Sequence, residues 1–140
     1  MKPLNSEQFW QFACKLYSKD GMQTKLLGYQ DQQSKNINLC LLLYYLDSLD
    51  LAVTPSQLSE LESCIAEFDQ QALQPLRATR AYLKTIQNEI SDYPNIRKEL
   101  LSAELKLEKQ QQQLLISTIN RMELSPTLKV DNLRLYIRGL

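Results

Sequence analysis

The clearest pattern in the chain is the run Ile37-Asn38-Leu39-Cys40-Leu41-Leu42-Leu43-Tyr44-Tyr45-Leu46, apolar on all sides. It is entered through the polar stretch Gln30-Asp31-Gln32-Gln33-Ser34-Lys35-Asn36. The run is about half the ~20 residues a helix needs to cross a bilayer, so it predicts the central buried helix of a soluble domain, with no membrane insertion. The other segments are amphipathic and need this one to pack on. Asn5 or Ser6 caps a first helix whose apolar positions Phe9, Trp10, Phe12, Ala13, Leu16 and Tyr17 recur at threes and fours, and Gly21 suits the left-handed residue that ends it. A short helix follows over residues 22 to about 33, and Asn36 caps the apolar helix to about residue 50. Thr54-Pro55 restarts the chain, with Leu58, Leu61, Cys64, Ile65 and Phe68 on one face.

Beyond residue 68 the spacing becomes that of a coiled coil. Pro75 demands a break or a kink, and the expected break is near Asp69, which would cap a helix to about residue 90. Leu76, Thr79, Leu83, Ile86 and Ile90 fall three and four apart, as do Ile96, Leu100, Ala103, Leu107, Gln110 and Leu114 after the turn Ser91-Asp92-Tyr93-Pro94. Two such faces joined by a short turn predict an antiparallel helical hairpin. Its second helix, residues 94 to about 124, would reach roughly 45 Å and outrun its mate. The far end must therefore pack on the N-terminal helices or on another chain. Gln110-Gln111-Gln112-Gln113 reads as a solvated helical face, with Gln110 as a polar seam position. The last segment, with Val130, Leu133, Leu135, Tyr136 and Ile137 apolar, reads as helix, although its alternation also permits a strand or extended arm. The expected fold class is all-α: a single-domain bundle of about six helices over residues 1–140, divided into a globular helical half (1–68), a long C-terminal antiparallel hairpin (69–124) and a C-terminal segment (125–140).

Composition narrows the chemistry. Lysine plus arginine equals aspartate plus glutamate at sixteen each, so there is no general attraction to nucleic acid, and none is expected as a partner. Histidine is absent, which removes the commonest general base and metal ligand and lowers the prior for enzyme chemistry. Cys14, Cys40 and Cys64 form no CxxC pair, sit among apolar residues, and read as small buried hydrophobes of a reducing cytoplasm. Asp47 and Asp50 are spaced to share a magnesium ion but lack a second acidic cluster. No catalytic residue, metal or cofactor is assigned.

The candidate residues for a ligand or partner are Trp10, Tyr17, Gln30, Asp31, Asn38, Arg77, Arg80 and Lys84. Gln30, Asp31, Asn36 and Asn38 converge at the start of the apolar helix. Capping explains them first, and a polar ligand second. Arg77, Arg80 and Lys84 share one helix face, either as ion-pair partners of Asp31, Asp47, Asp50 or glutamates, or as binders of phosphate or an acidic partner. Trp10 and Tyr17 belong to the most aromatic segment, as core or as the wall of a groove.

These residues also carry a resemblance. Phe9-Trp10-Gln11-Phe12 through Leu16-Tyr17, Gln30-Asp31, Asn38-Leu39-Cys40-Leu41-Leu42-Leu43, Pro75-Leu76-Arg77-Ala78-Thr79-Arg80 and Ala103-Glu104-Leu105-Lys106-Leu107-Glu108 stand in the order found in a family of small proteobacterial proteins without an assigned activity. Leu26 stands where members carry cysteine, and Phe68 lies near a position where they carry tryptophan. The resemblance implies a bacterial, cytoplasmic, all-helical protein and transfers no catalytic residue. The expected function is a non-enzymatic interaction or adaptor role through the long C-terminal helices, with a protein partner or with itself as a homodimer. The alternative is a small-ligand or enzymatic pocket between the N-terminal helices, with Arg77 and Arg80 on an anionic group.

Overall fold

The computed structural model describes residues 3–127 and 130–139. Among them the fold is all-α, with one minimal two-stranded pairing. Helix α1, Ser6–Tyr17, starts where the Asn5 side chain accepts from the Gln8 amide at 3.0 Å. Gly21, at φ 79°, turns the chain into α2, Met22–Gln33. Ser34, also left-handed, ends α2, and the Asn36 carboxamide oxygen caps α3, Ile37–Ser48, by accepting from Leu39 N at 2.9 Å.

Helix α3 is the hub the hydropathy pattern predicts. Leu39, Cys40, Leu42, Leu43 and Leu46 are wholly buried, with α1, α2, α6 and α7 packed around them. Each fully buried leucine stabilises the fold by about 1.5–3 kcal/mol relative to leaving it exposed, so this turn-by-turn burial anchors everything else. After α3, Leu51–Ala52 (β1) pairs antiparallel with Ser125–Pro126 (β2), tying the exit of α3 to the exit of α6. Thr54 then opens α4, Pro55–Phe68, in a reciprocal capping box with Gln57.

The expected break at Asp69 is not there. Residues Asp69–Leu73 form a π-turn that carries α4 without interruption into α5, Gln74–Thr85. Pro75 has no N–H to donate, and its ring crowds the preceding turn; the wider π-turn accommodates both, with Gln74 N donating to Asp69 O. Seven α segments thus make six helical bodies among the described residues. Helix α5 ends at Thr85 rather than near residue 90, followed by a 3₁₀ turn at Gln87–Glu89 and left-handed Asp92. Helix α6, Tyr93–Ile119, runs back antiparallel to α5. Its far end, with Leu115, Ile116 and Ile119 buried, packs on α1, α3 and α4 of its own chain.

Short helix α7, Asn132–Arg138, resolves the ambiguous C-terminal segment as a helix. Asp47 fixes its start, accepting from Asn132 N at 2.7 Å, so this carboxylate serves α7. Buried Asn132 accepts from Val53 N at 2.9 Å and donates to Leu51 O at 2.7 Å. Tyr136 Oη accepts from Asn36 N at 3.0 Å, and burial pushes its phenol up to about 12. No described helix is long and apolar enough to cross a membrane.

Candidate functional site

The hairpin leaves the body through a layer of polar side chains. Asn38, one residue inside the apolar helix, is buried; its Nδ2 donates to Glu108 Oε2 at 2.6 Å and Gln111 Oε1 at 2.9 Å. Its Oδ1 accepts from Gln112 Nε2 at 3.0 Å. Gln111 in turn bridges Asn36 at 3.2 Å and Asp69 at 3.3 Å. The π-turn aims Asp69 inward, where it also accepts from Asn36 and Gln74. Buried amides need partners, and this layer supplies them to all but Gln112 Oε1. The expectation of a solvated glutamine face therefore fails at its centre: Gln111 and Gln112 are buried, while Gln110 and Gln113 are exposed.

Arg77 and Arg80 stand just outside this layer. Arg77 pairs with Glu108 and lies 3.9 Å from Asp69; Arg80 grips Glu104 with two bonds, at 2.5 and 3.0 Å. The partner carboxylates come from α6 and the π-turn, not from Asp31, Asp47 or Asp50. Glu104 is buried while Arg80 is half-exposed, and the hydrogen bond to Glu104 raises the Arg80 pKa. Tyr17 lies beside the Arg77–Glu108 pair, and burial followed by the Glu108 charge raises its phenol.

An open cleft of about 370 Å³ adjoins the layer, with Gln30, Asp31, Lys35, Asn36, Asp69 and Arg77 among its lining residues. Of the sequence candidates, the structure brings Gln30, Asp31 and Arg77 together at this cleft, and sets Asn38 and Tyr17 near the Arg77–Glu108 pair behind it. Trp10 is elsewhere, on the outer face of α1 under Lys109, 5.4 Å from its ring centre. Arg80 lies farther along the hairpin, and Lys84 is exposed near its end. Sequence reasoning missed Gln111, Gln112 and Asp69 as members of the polar layer; the only signal was a glutamine pair in phase with buried Leu115 and Ile119. Cys14 is exposed and Cys64 half-buried, leaving Cys40 alone as the buried thiol, pushed up to about 12 by burial.

The hairpin itself has an unusual solvent balance. From residue 74 to residue 103 no side chain is buried, although the stretch holds Leu76, Leu83, Ile86, Ile90, Ile96 and Leu100. Tyr82 and Leu105 are 62% and 58% exposed. A pair of helices with no third layer can cover each seam residue from one side only.

Over residues 8–115 the sequence matches the family described as protein of unknown function, DUF2390. The chain belongs to the DUF2390 family. That span contains every motif from Phe9 to Glu108 on which the resemblance rested, and the DUF2390 description assigns no activity. No curated protein and no solved structure matches the chain. Among the described residues no group of three or more cysteine, aspartate or glutamate side chains is arranged to hold a metal ion.

Proposed function

We propose that this DUF2390 protein is a non-enzymatic interaction protein of the bacterial cytoplasm, and that its α5–α6 arm pairs with the arm of a second copy. One observation carries the reading: thirty consecutive residues, 74–103, contribute an apolar seam and nothing buried. A second hairpin laid on this one completes a four-helix bundle and covers the open side of the seam. Charge favours a copy of the same arm. Once Arg77 and Arg80 are paired internally, the exposed arm carries Lys84, Arg97 and Lys98 against Glu89, Asp92 and Glu99, a balanced set that meets itself without net repulsion. The arm is roughly 18 Å long and 20 Å wide, so pairing would bury about 700 Å² in total, which fits a weak, concentration-dependent dimer.

Sedimentation equilibrium tests this. The average mass should climb toward twice the monomer with concentration, and Tyr82→Glu with Leu105→Glu should hold it at the monomer. A strict monomer at every concentration overturns the proposal.

The second reading, a small ligand beside Arg77, has the 370 Å³ cleft in its favour. An anion there would compete with Glu108 and Asp69 for Arg77, so a neutral polar ligand suits the walls better. Chemical-shift perturbation confined to residues 30–37 on addition of a small polar compound library would favour it.

A further inference from the structure

We infer that a second cleft, between α2 and α7 and remote from the arm, is an anion site that takes a phosphate monoester group. It encloses about 340 Å³. Lys25 and Tyr29, four apart on α2, form one wall; Arg134 and Arg138, four apart on α7, form the other. Residues at that spacing share one helix face, so both pairs point across the same space. Leu133 and Ile137 supply an apolar floor.

The charge count separates this cleft from the one at the arm. There, Arg77 is paired with Glu108, and Asp31 and Asp69 offset Lys35 on the same walls. Here, none of Lys25, Arg134 and Arg138 takes part in an ion pair among the described residues. Asp131, the single carboxylate among the described residues of the rim, already accepts from Arg134 N at 3.0 Å to cap α7. Three cations against one carboxylate leave a local excess of two positive charges in a chain whose net charge is zero. A phosphate monoester carries ≈ −1.5 to −2 at neutral pH, which matches that excess; a single carboxylate does not. Guanidinium forks suit its several oxygens, and Lys25 adds a mobile point charge. Interaction with the Tyr44 hydroxyl also holds the Lys25 ammonium above the usual range, charged at neutral pH. The volume exceeds one phosphate, and the Tyr29 ring with the Leu133 and Ile137 floor takes an apolar or planar remainder. A soluble phosphorylated metabolite and a phosphatidic acid headgroup share this chemistry.

Two titrations of the full chain separate the sources. In ¹H–¹⁵N spectra, phenyl phosphate should shift the amides of Tyr29, Leu133 and Ile137 and bind more tightly than inorganic phosphate. Arg134→Gln with Arg138→Gln should weaken binding by about tenfold or more, while Arg97→Gln with Lys98→Gln on the arm leaves it unchanged. Lys25→Gln, on the other wall, gives the same reading if the α7 variant proves unfolded by circular dichroism. In parallel, phosphatidylcholine vesicles with and without phosphatidic acid are sedimented with the protein. Retention only with phosphatidic acid, lost in the same variants, assigns a lipid headgroup; phenyl phosphate binding alone assigns a soluble ligand. Binding by neither probe, or equal weakening by the arm variant, overturns the site.

Discussion

Replacing Asn38 by alanine should cost the protein much of its stability, and the structure says how. Asn38 is 4% exposed and makes three short bonds, one of them to the Glu108 carboxylate at 2.6 Å. Gln111 keeps Asn36 and Asp69 after the change, and Glu108 keeps Arg77. Gln112 keeps nothing: its Nε2 has Asn38 as its one partner among the described residues, and its Oε1 already has none. A bond to a charged acceptor is worth about 1.5–3 kcal/mol and a buried orphan costs about 1–3 kcal/mol, so the expected loss is roughly 3–5 kcal/mol. Against a total of about 5–15 kcal/mol that is severe, and it lowers Tm by roughly 10–20 °C. Urea denaturation followed by circular dichroism gives the number. The decisive arm is Gln112→Leu in the Asn38→Ala background, which removes the orphaned amide and should recover part of the loss. A loss below about 1 kcal/mol, or a further drop in the double variant, would refute the polar layer as the source of the effect.

Other outcomes follow from single contacts. Arg80→Ala strands the buried Glu104 carboxylate and should cost about 1–3 kcal/mol, whereas Arg80→Ala with Glu104→Leu should be milder; equal losses in a melting comparison would contradict this. Burial raises the Asp47 carboxyl despite the amides of Asn132 and Leu133, so the folded state keeps this proton to higher pH than the unfolded chain does. Stability from this group is present below the unfolded value and lost as pH rises through the raised folded one; relative to Asp47→Asn, the wild type should gain as pH falls through that window, and a Tm difference flat in pH rules it out. Thiol titration of the native protein should label Cys14 at once and Cys40 only on unfolding, since the Cys40 thiol, at about 12, stays protonated. Rapid loss of Cys40 in mass-mapped native labelling would contradict the buried hub.

The hub, the cap at Asn36 and the Thr54-Pro55 restart were legible because each follows from a local rule of helix pattern or helix start. The arm was legible as a hairpin for the same reason, in its three-four spacing. What stayed hidden depends on a partner far along the chain. Glutamine is a good helix former that usually faces water, and only Asn36 and Asn38, more than seventy residues away, make the interior hospitable to Gln111 and Gln112. Cys14 shows the converse, with apolar neighbours in sequence and solvent around it in the fold. The basic cleft was invisible because Lys25 and the two arginines of α7 lie more than a hundred positions apart, and no linear motif joins them.

The π-turn has a consequence for how this chain tolerates change. In an α-helix each step of four residues overshoots a full turn by about 40°, so three steps from Ile65 through Asp69 and Leu73 to Arg77 would drift by roughly 120°. The extra residue wound into the turn takes back about 100°, which keeps all four residues near one azimuth, with Ile65 and Leu73 in the core and Arg77 in reach of Asp69. The π-turn therefore holds one extra residue without changing the phase of the rod. Deleting one residue between positions 70 and 72 would let the turn close as ordinary α-helix, eleven steps of about 100° from Ile65 or roughly 20° past three full turns, and would leave Arg77 and Arg80 facing Glu108 and Glu104. A further residue with no turn to absorb it would instead swing both arginines by about 100° off their glutamates, so the segment tolerates the loss of its extra residue and not a second gain.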